Sequence, residues 1–229
     1  MSRAEPSPLS EGLALDHAGD RAGALAFFQN LAAARPGDAQ AHYLHGLLLF
    51  KEGRFGEALA PLRHSVALAA GEDAQIKLAL ALGQVGDMPS CLAVLEEAAK
   101  GLPQSAAVRA YLGTTLRTLG RVEEALGAYT AAFALDAGHV PALWGLGLAL
   151  GMRERYQEGM AVLRRAITLD PAFPPPHFHL GVLALAAGEP LETRRQEVLL
   201  RDLAPTYAQR LLELMTNERI PHAGNHPES

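Results

Sequence analysis

VPALWGLGLALGM, residues 140–152, runs into RERYQEGMAVLRRAITLDPAF, residues 153–173, and the reading of this stretch decides the fold. Pro141 to Met152 contains no charged residue. Leu143, Leu146, Gly147 and Leu150 recur at the i, i+3, i+4 and i+7 spacing of one helical face. Trp144, Leu148 and Met152 fall at i, i+4 and i+8 on a second face that is apolar too. The continuation behaves differently. Tyr156, Met160, Leu163 and Ile167 make a single apolar stripe, while Gln157, Glu158, Arg164, Arg165 and Thr168 occupy the other side. Asp170-Pro171 ends it, because proline cannot continue a helix and biases its predecessor away from the helical region. The unit is therefore a two-sided apolar helix followed by a one-sided one.

Working outward, the unit repeats. A small residue recurs at Gly12, Gly46, Ala79, Gly113, Gly147 and Gly181, at spacings of 34, 33, 34, 34 and 34 residues. Twelve residues after each stands a second small site: Ala24, Ala58, Cys91, Ala125, Gly159 and Thr193. Gly19, Gly53, Gly86, Gly120 and Gly188 lie between the two sites, where a helix would end in a left-handed turn. Pro36, Pro103, Pro171 and Pro205 close four units. Small residues at these positions let two antiparallel helices approach closely, with Leu62, Leu95, Tyr129 and Leu163 packing beside them.

The pattern resembles the tetratricopeptide repeat family, in its bacterial type, whose consensus runs W-x-x-L-G-x-x-Y, then alanine, an aromatic and proline. Departures are local. Glu154 replaces the turn glycine, Ala70 and Ala137 replace the closing proline, His45 stands where leucine is usual, and one residue is missing near Ala70–Glu72. The resemblance implies an all-α, right-handed solenoid of about six helix-turn-helix units starting near residues 5, 39, 72, 106, 140 and 174. Residues 1–7 read as an N-terminal arm, with Ser7 as N-cap and Pro8 opening a short first helix, and 8–204 as the repeats. Residues 205–218 read as a capping helix with Ala208, Leu211, Leu212 and Met215 on its apolar side, and 219–229 as a flexible tail.

Composition excludes several function classes. A net charge of −5 gives no basic footprint for nucleic acid, and no apolar run is long enough for membrane insertion. Met1 to Ser10 shows neither a basic start nor an apolar core of a signal peptide, so a cytoplasmic location is expected. Cys91, the single cysteine, forms no internal disulfide and reads as a small packing residue. No nucleophile elbow, zinc-protease helix or phosphate loop is present. Gly145-Leu146-Gly147 has no preceding strand, so it is not a nucleotide fingerprint. His42 with His45, His177 with His179, and His222 with His226 read as ordinary helix or tail residues rather than metal ligands. The expectation is no enzyme, no cofactor and no metal.

The resemblance also implies that the first helices line a concave groove. Carried over position by position, its wall is Leu13, Tyr43, Leu47, Phe50, Ile76, Lys77, Leu80, Arg117, Trp144, Leu148, Met152, Phe178 and Val182. The sites where a carboxylate-clamp protein carries asparagine hold Ser10, Leu44, Lys77, Tyr111, Gly145 and His179 instead. An apolar trough suits a helical, amphipathic protein segment, with Lys77 and Arg117 read either as plain solvated charges or as groups that orient an acidic residue on it. The expected function is a protein-binding adaptor or scaffold. The alternatives are a self-assembling structural protein, with the groove covered by a second copy or by the chain's own terminal segment, and a regulatory piece of an enzyme complex.

Overall fold

The computed structural model describes residues 9–69 and 71–216, which form helices and no strand. In chain order these are α1 (Ser10–His17), α2 (Arg21–Ala34), α3 (Ala39–Lys51), α4 (Phe55–Leu68), α5 (Glu72–Gln84), α6 (Met88–Gly101), α7 (Ala106–Thr118), α8 (Val122–Leu135), α9 (Val140–Met152), α10 (Tyr156–Leu169), α11 (Pro174–Ala186), α12 (Pro190–Leu203) and α13 (Pro205–Thr216). The first helix is short, as its sequence indicates. Ser7, Pro8, Ala70 and the tail from residue 217 lie outside the described residues.

Two compact units divide the chain, Met1–Thr115 and Leu116–Ser229. In the first, α1 to α6 pack each against the next, and α3 also touches α5. In the second, α8 to α13 do the same, while α9 touches α11 and α11 touches α13. Each unit therefore has two layers, an inner layer of odd-numbered helices and an outer layer of even-numbered ones. The alternation makes each unit a stack of antiparallel helix pairs.

Burial explains the small residues. All twelve recurring small sites are buried, with Ala24, Ala58, Ala125 and Thr193 wholly inaccessible. A Cβ on Gly147 would lie 2.6 Å from Leu163 Cγ, and one on Gly46 would lie 2.6 Å from Leu62 Cγ. Gly145 faces the ring of Tyr129 in the same way. The large partners Leu62, Leu95, Tyr129 and Leu163 are correspondingly enclosed. Burying each leucine contributes about 1.5–3 kcal/mol, which a wider helix spacing would forfeit. Cys91 fits the same scheme. It is buried, its Sγ lies 3.4 Å from Thr115 Oγ1, and burial pushes its thiol above the ordinary range, away from reactivity.

Between paired helices the chain turns through a left-handed residue. Gly19, Gly53, Gly86, Gly120 and Gly188 hold φ between 75° and 85°. Glu154 takes the sixth such position at φ 58° despite its side chain.

Candidate partner-binding site

In the first unit the inner wall is built from α1, α3 and α5. Leu13 is exposed, and Tyr43, Leu47 and Phe50 are half-buried along α3. Burial, with Asp73 adding to it, pushes the Tyr43 phenol above its ordinary value. Lys77 Nζ sits 5.4 Å from the centroid of the Phe50 ring, which joins α3 to α5 by a cation–π contact. The Phe50 ring also meets Phe55 edge-on at 5.0 Å. Leu80 is half-buried beside Ile76. Ile76 itself is only 7% exposed, packed with Ala98 and Val108. It backs the wall instead of lining it.

In the second unit the wall centres on α9. The face carrying Leu143, Gly147 and Leu150 is consumed by the core. On the other face Trp144 and Leu148 remain half-buried and Met152 is 52% exposed. Trp144 is fixed from two sides. Its Nε1–H points at His179 Nδ1 on α11, 3.1 Å away, and its ring meets Phe173 edge-on at 5.9 Å. The indole thus has its one polar group satisfied inside the chain and presents an apolar flank. Burial lowers the His179 pKa below its ordinary value; Arg117 and Arg210 act in the same direction, while a hydrogen bond to the Pro175 carbonyl opposes them. Arg117 is half-buried, and its Nε is enclosed with no hydrogen-bond partner among the described residues.

Two wall positions are occupied by the chain itself. Phe178 is only 8% exposed and packs with Leu200, Ala208 and Leu211, its ring 5.1 Å from that of Tyr207. Val182 packs on the same cluster. Helix α13 covers both, so the accessible wall of this unit ends near Trp144, Leu148 and Met152. Sequence reasoning placed Phe178 and Val182 by register on the inner side of α11. The sequence left open whether the chain's own terminal segment covers that side, because pattern alone does not tell which neighbour a helix face meets.

His42, His64 and His177 serve structure. His42 and His64 both direct Nε2 at the Pro36 carbonyl, each at 3.1 Å, with their rings 4.2 Å apart. His177 is buried between Gln196 Oε1 at 2.8 Å and the Pro171 carbonyl at 3.0 Å. Among the described residues no three His, Cys, Asp or Glu side chains are grouped to hold a metal ion. No described helix is long and apolar enough to cross a membrane.

Comparison with known proteins agrees with this architecture. A tetratricopeptide repeat family profile matches residues 9–73, 76–140 and 112–174. The chain is similar in structure to YrrB, a tetratricopeptide protein with an unusual peptide-binding site, at 17% identity and a TM-score of 0.60, covering 81% of this chain and 97% of that one. It is similar to a thermophilic tetratricopeptide protein of Thermus thermophilus, at 19% identity and a TM-score of 0.64, covering 77% and 98%. A third likeness is to the Cut9–Hcn1 hetero-tetramer of the APC/C, at 15% identity and a TM-score of 0.77, covering 91% of this chain and 42% of that one. At these identities the likeness concerns the fold. No curated protein matches the sequence.

Proposed function

This chain belongs to the tetratricopeptide repeat family, and we propose that it is a non-catalytic adaptor holding a helical, apolar-faced segment of a protein partner against the inner wall of its second unit. The observation that carries this reading is the second apolar face of α9. Core packing uses Leu143, Gly147 and Leu150, yet Trp144, Leu148 and Met152 repeat at the spacing of a second stripe, and Met152 is left 52% exposed. A stripe of this kind accepts the i, i+4, i+7 anchors of an amphipathic helix. Arg117 supports a specific polar contact: its half-buried guanidinium pairs with a carboxylate on the partner. The peptide-binding site named for YrrB is consistent with such a role. A net charge of −5 disfavours nucleic acid as the partner.

The test begins with affinity capture on the full chain from its source lysate, with bound segments identified by mass spectrometry. The captured segment is then titrated against variants. Met152→Glu alters an exposed side chain, so it should weaken binding at least about tenfold, roughly 1.4 kcal/mol, with an unchanged melting temperature. Arg117→Ala should weaken segments that carry an acidic residue and spare those that do not. Binding that withstands both substitutions places the partner on another face and overturns the proposal.

A further inference from the structure

We propose that the outer face of α12 is a homodimer interface whose occupant is a second copy of this chain. Thr193, Gln196, Glu197 and Leu200 turn inward and are buried. The opposite side carries Leu191 at 87% exposure, Val198 at 49% and Leu199 at 46%, with Arg195 and Asp202 exposed among them. At 3.6 residues per turn these five side chains share one stripe roughly 100° wide. The corresponding side of α10 is polar, with Gln157, Arg164, Arg165 and Thr168 exposed. Helix α12 therefore departs from its counterpart by putting aliphatic side chains in water over three turns, which marks an interaction surface.

The charges on this stripe identify the occupant. Arg194 and Arg201 are engaged with the buried Glu197, at 3.2 and 2.7 Å. Arg195 and Asp202 have no ion-pair partner among the described residues. They cannot satisfy each other, being separated by about 10 Å of helix rise. Placing a two-fold axis between Val198 and Leu199 and running a second α12 antiparallel brings each Arg195 opposite the other copy's Asp202. The same operation sets Val198 against Leu199 at the centre. A parallel, in-register pair would instead face arginine with arginine. The stripe is thus complementary to itself in one orientation only, as an isologous interface requires. Its apolar residues supply most of the attraction and its charges the register. One helix pair buries less than the roughly 1,200–2,000 Å² of a standard interface, so the dimer is weak, with a Kd on the order of 10–100 μM. The interface lies on an outer helix and does not use Trp144, Leu148 or Met152, so it stands independently of the adaptor reading.

Sedimentation velocity of the full chain from about 1 to 500 μM tests this, since the window brackets the expected Kd. The expected result is a monomer at the low end and a dimer at the high end. Arg195→Asp and Asp202→Arg should each raise the dimer Kd at least about tenfold by facing like charges across the axis. The double reversal should return it to within about threefold of the parent, because the swapped charges again meet across copies. Val198→Glu, at the centre, should abolish the dimer. All of these positions are exposed, so the helical circular dichroism is expected to stay at the parent value. A chain that is monomeric throughout overturns the proposal. So does a dimer indifferent to both single reversals, or a double reversal that fails to restore it.

Discussion

At the scale of single residues, His179 Nδ1 has two competing neighbours: the Trp144 Nε1–H at 3.1 Å and the Pro175 carbonyl oxygen at 2.8 Å. One nitrogen either accepts from the first or donates to the second. Burial depresses the pKa of this imidazole below the ordinary 6.5, which favours the uncharged ring, and only an unprotonated Nδ1 accepts from Trp144. In the unfolded chain His179 takes up its proton near 6.5, while in the folded chain it does so lower. The unfolded state therefore binds more protons in that interval, and the stability this group contributes is complete above about 6.5 and falls as pH drops below it. His45 is depressed in the same direction, first by burial and then by His42 and Arg54, so it adds to the acid destabilisation. Of these two histidines, His179 is the one that touches Trp144. Acid titration should therefore lower the melting temperature and change the Trp144 emission, with the emission midpoint below 6.5. An emission change that persists unaltered in His179→Asn would show that the Trp144–His179 contact is not its source. The pairing itself was hidden from the sequence, because residues 35 positions apart acquire a contact only through the stacking of α9 on α11.

At the scale of the element, the readable features were those repeated in every unit. Helix identity, the small packing sites and the turn glycines recur with the period of the fold, so each copy reinforces the others. Features that differ from copy to copy were not readable. Five of the six outer helices begin in one of two ways. Asp20 and Asp87 accept from the backbone N–H groups of Gly23 and Ser90, as N-caps do. Arg54, Arg121 and Arg155 at the equivalent positions instead grip Glu57, Glu124 and Glu158 three residues on, each through two N–H donors. These pairs hold the three glutamates below the usual carboxylate range. The buried face of α12 was likewise unforeseen, since Gln196 and Glu197 look like surface residues until their partners are seen. His177 bonds Gln196, and Arg194 and Arg201 neutralise Glu197. Glu154 is the element-level departure with a direct consequence. Its left-handed φ of 58° costs an L-residue about 1–2 kcal/mol, part of which is offset by the unfolded-state freedom a glycine brings. Glu154→Gly should therefore raise stability by about 0.5–1 kcal/mol in thermal or urea unfolding. Lower stability in that variant would mean the side chain makes a contact that outweighs the backbone strain.

At the scale of the whole molecule, the decisive question is what ends the repeats. A stack of helix pairs leaves its last pair with an uncovered apolar side, which must be solvated by something other than another repeat. Helix α13 packs on that side. Ala208 and Leu211 turn inward onto Phe178 and Leu200, Leu214 and Met215 pack beside them, and Leu212 is left outward at 38% exposure. Leu211 Cδ2 would lie 2.5 Å from a Cβ on Gly181, so the small residue that admits an outer helix elsewhere here admits the terminal helix as well. The same packing removes Phe178 and Val182 from the inner wall, which makes cap and groove cover two readings of one contact. They separate on truncation. If α13 is a cap, ending the chain at Ala204 exposes Phe178 and Leu200 and lowers the melting temperature. A point variant, Leu211→Asp, should act alike, at a cost of about 3 kcal/mol or more for an unpaired charge in that core. The truncated chain should also associate through the new apolar surface, and that association should be indifferent to Arg195→Asp, which reverses a charge on a different face of α12. Partner affinity measured on the fraction that stays folded should be unchanged, because Trp144, Leu148 and Met152 are untouched. A truncated chain that keeps its stability and binds the partner more tightly would show that α13 instead occupies the recognition surface.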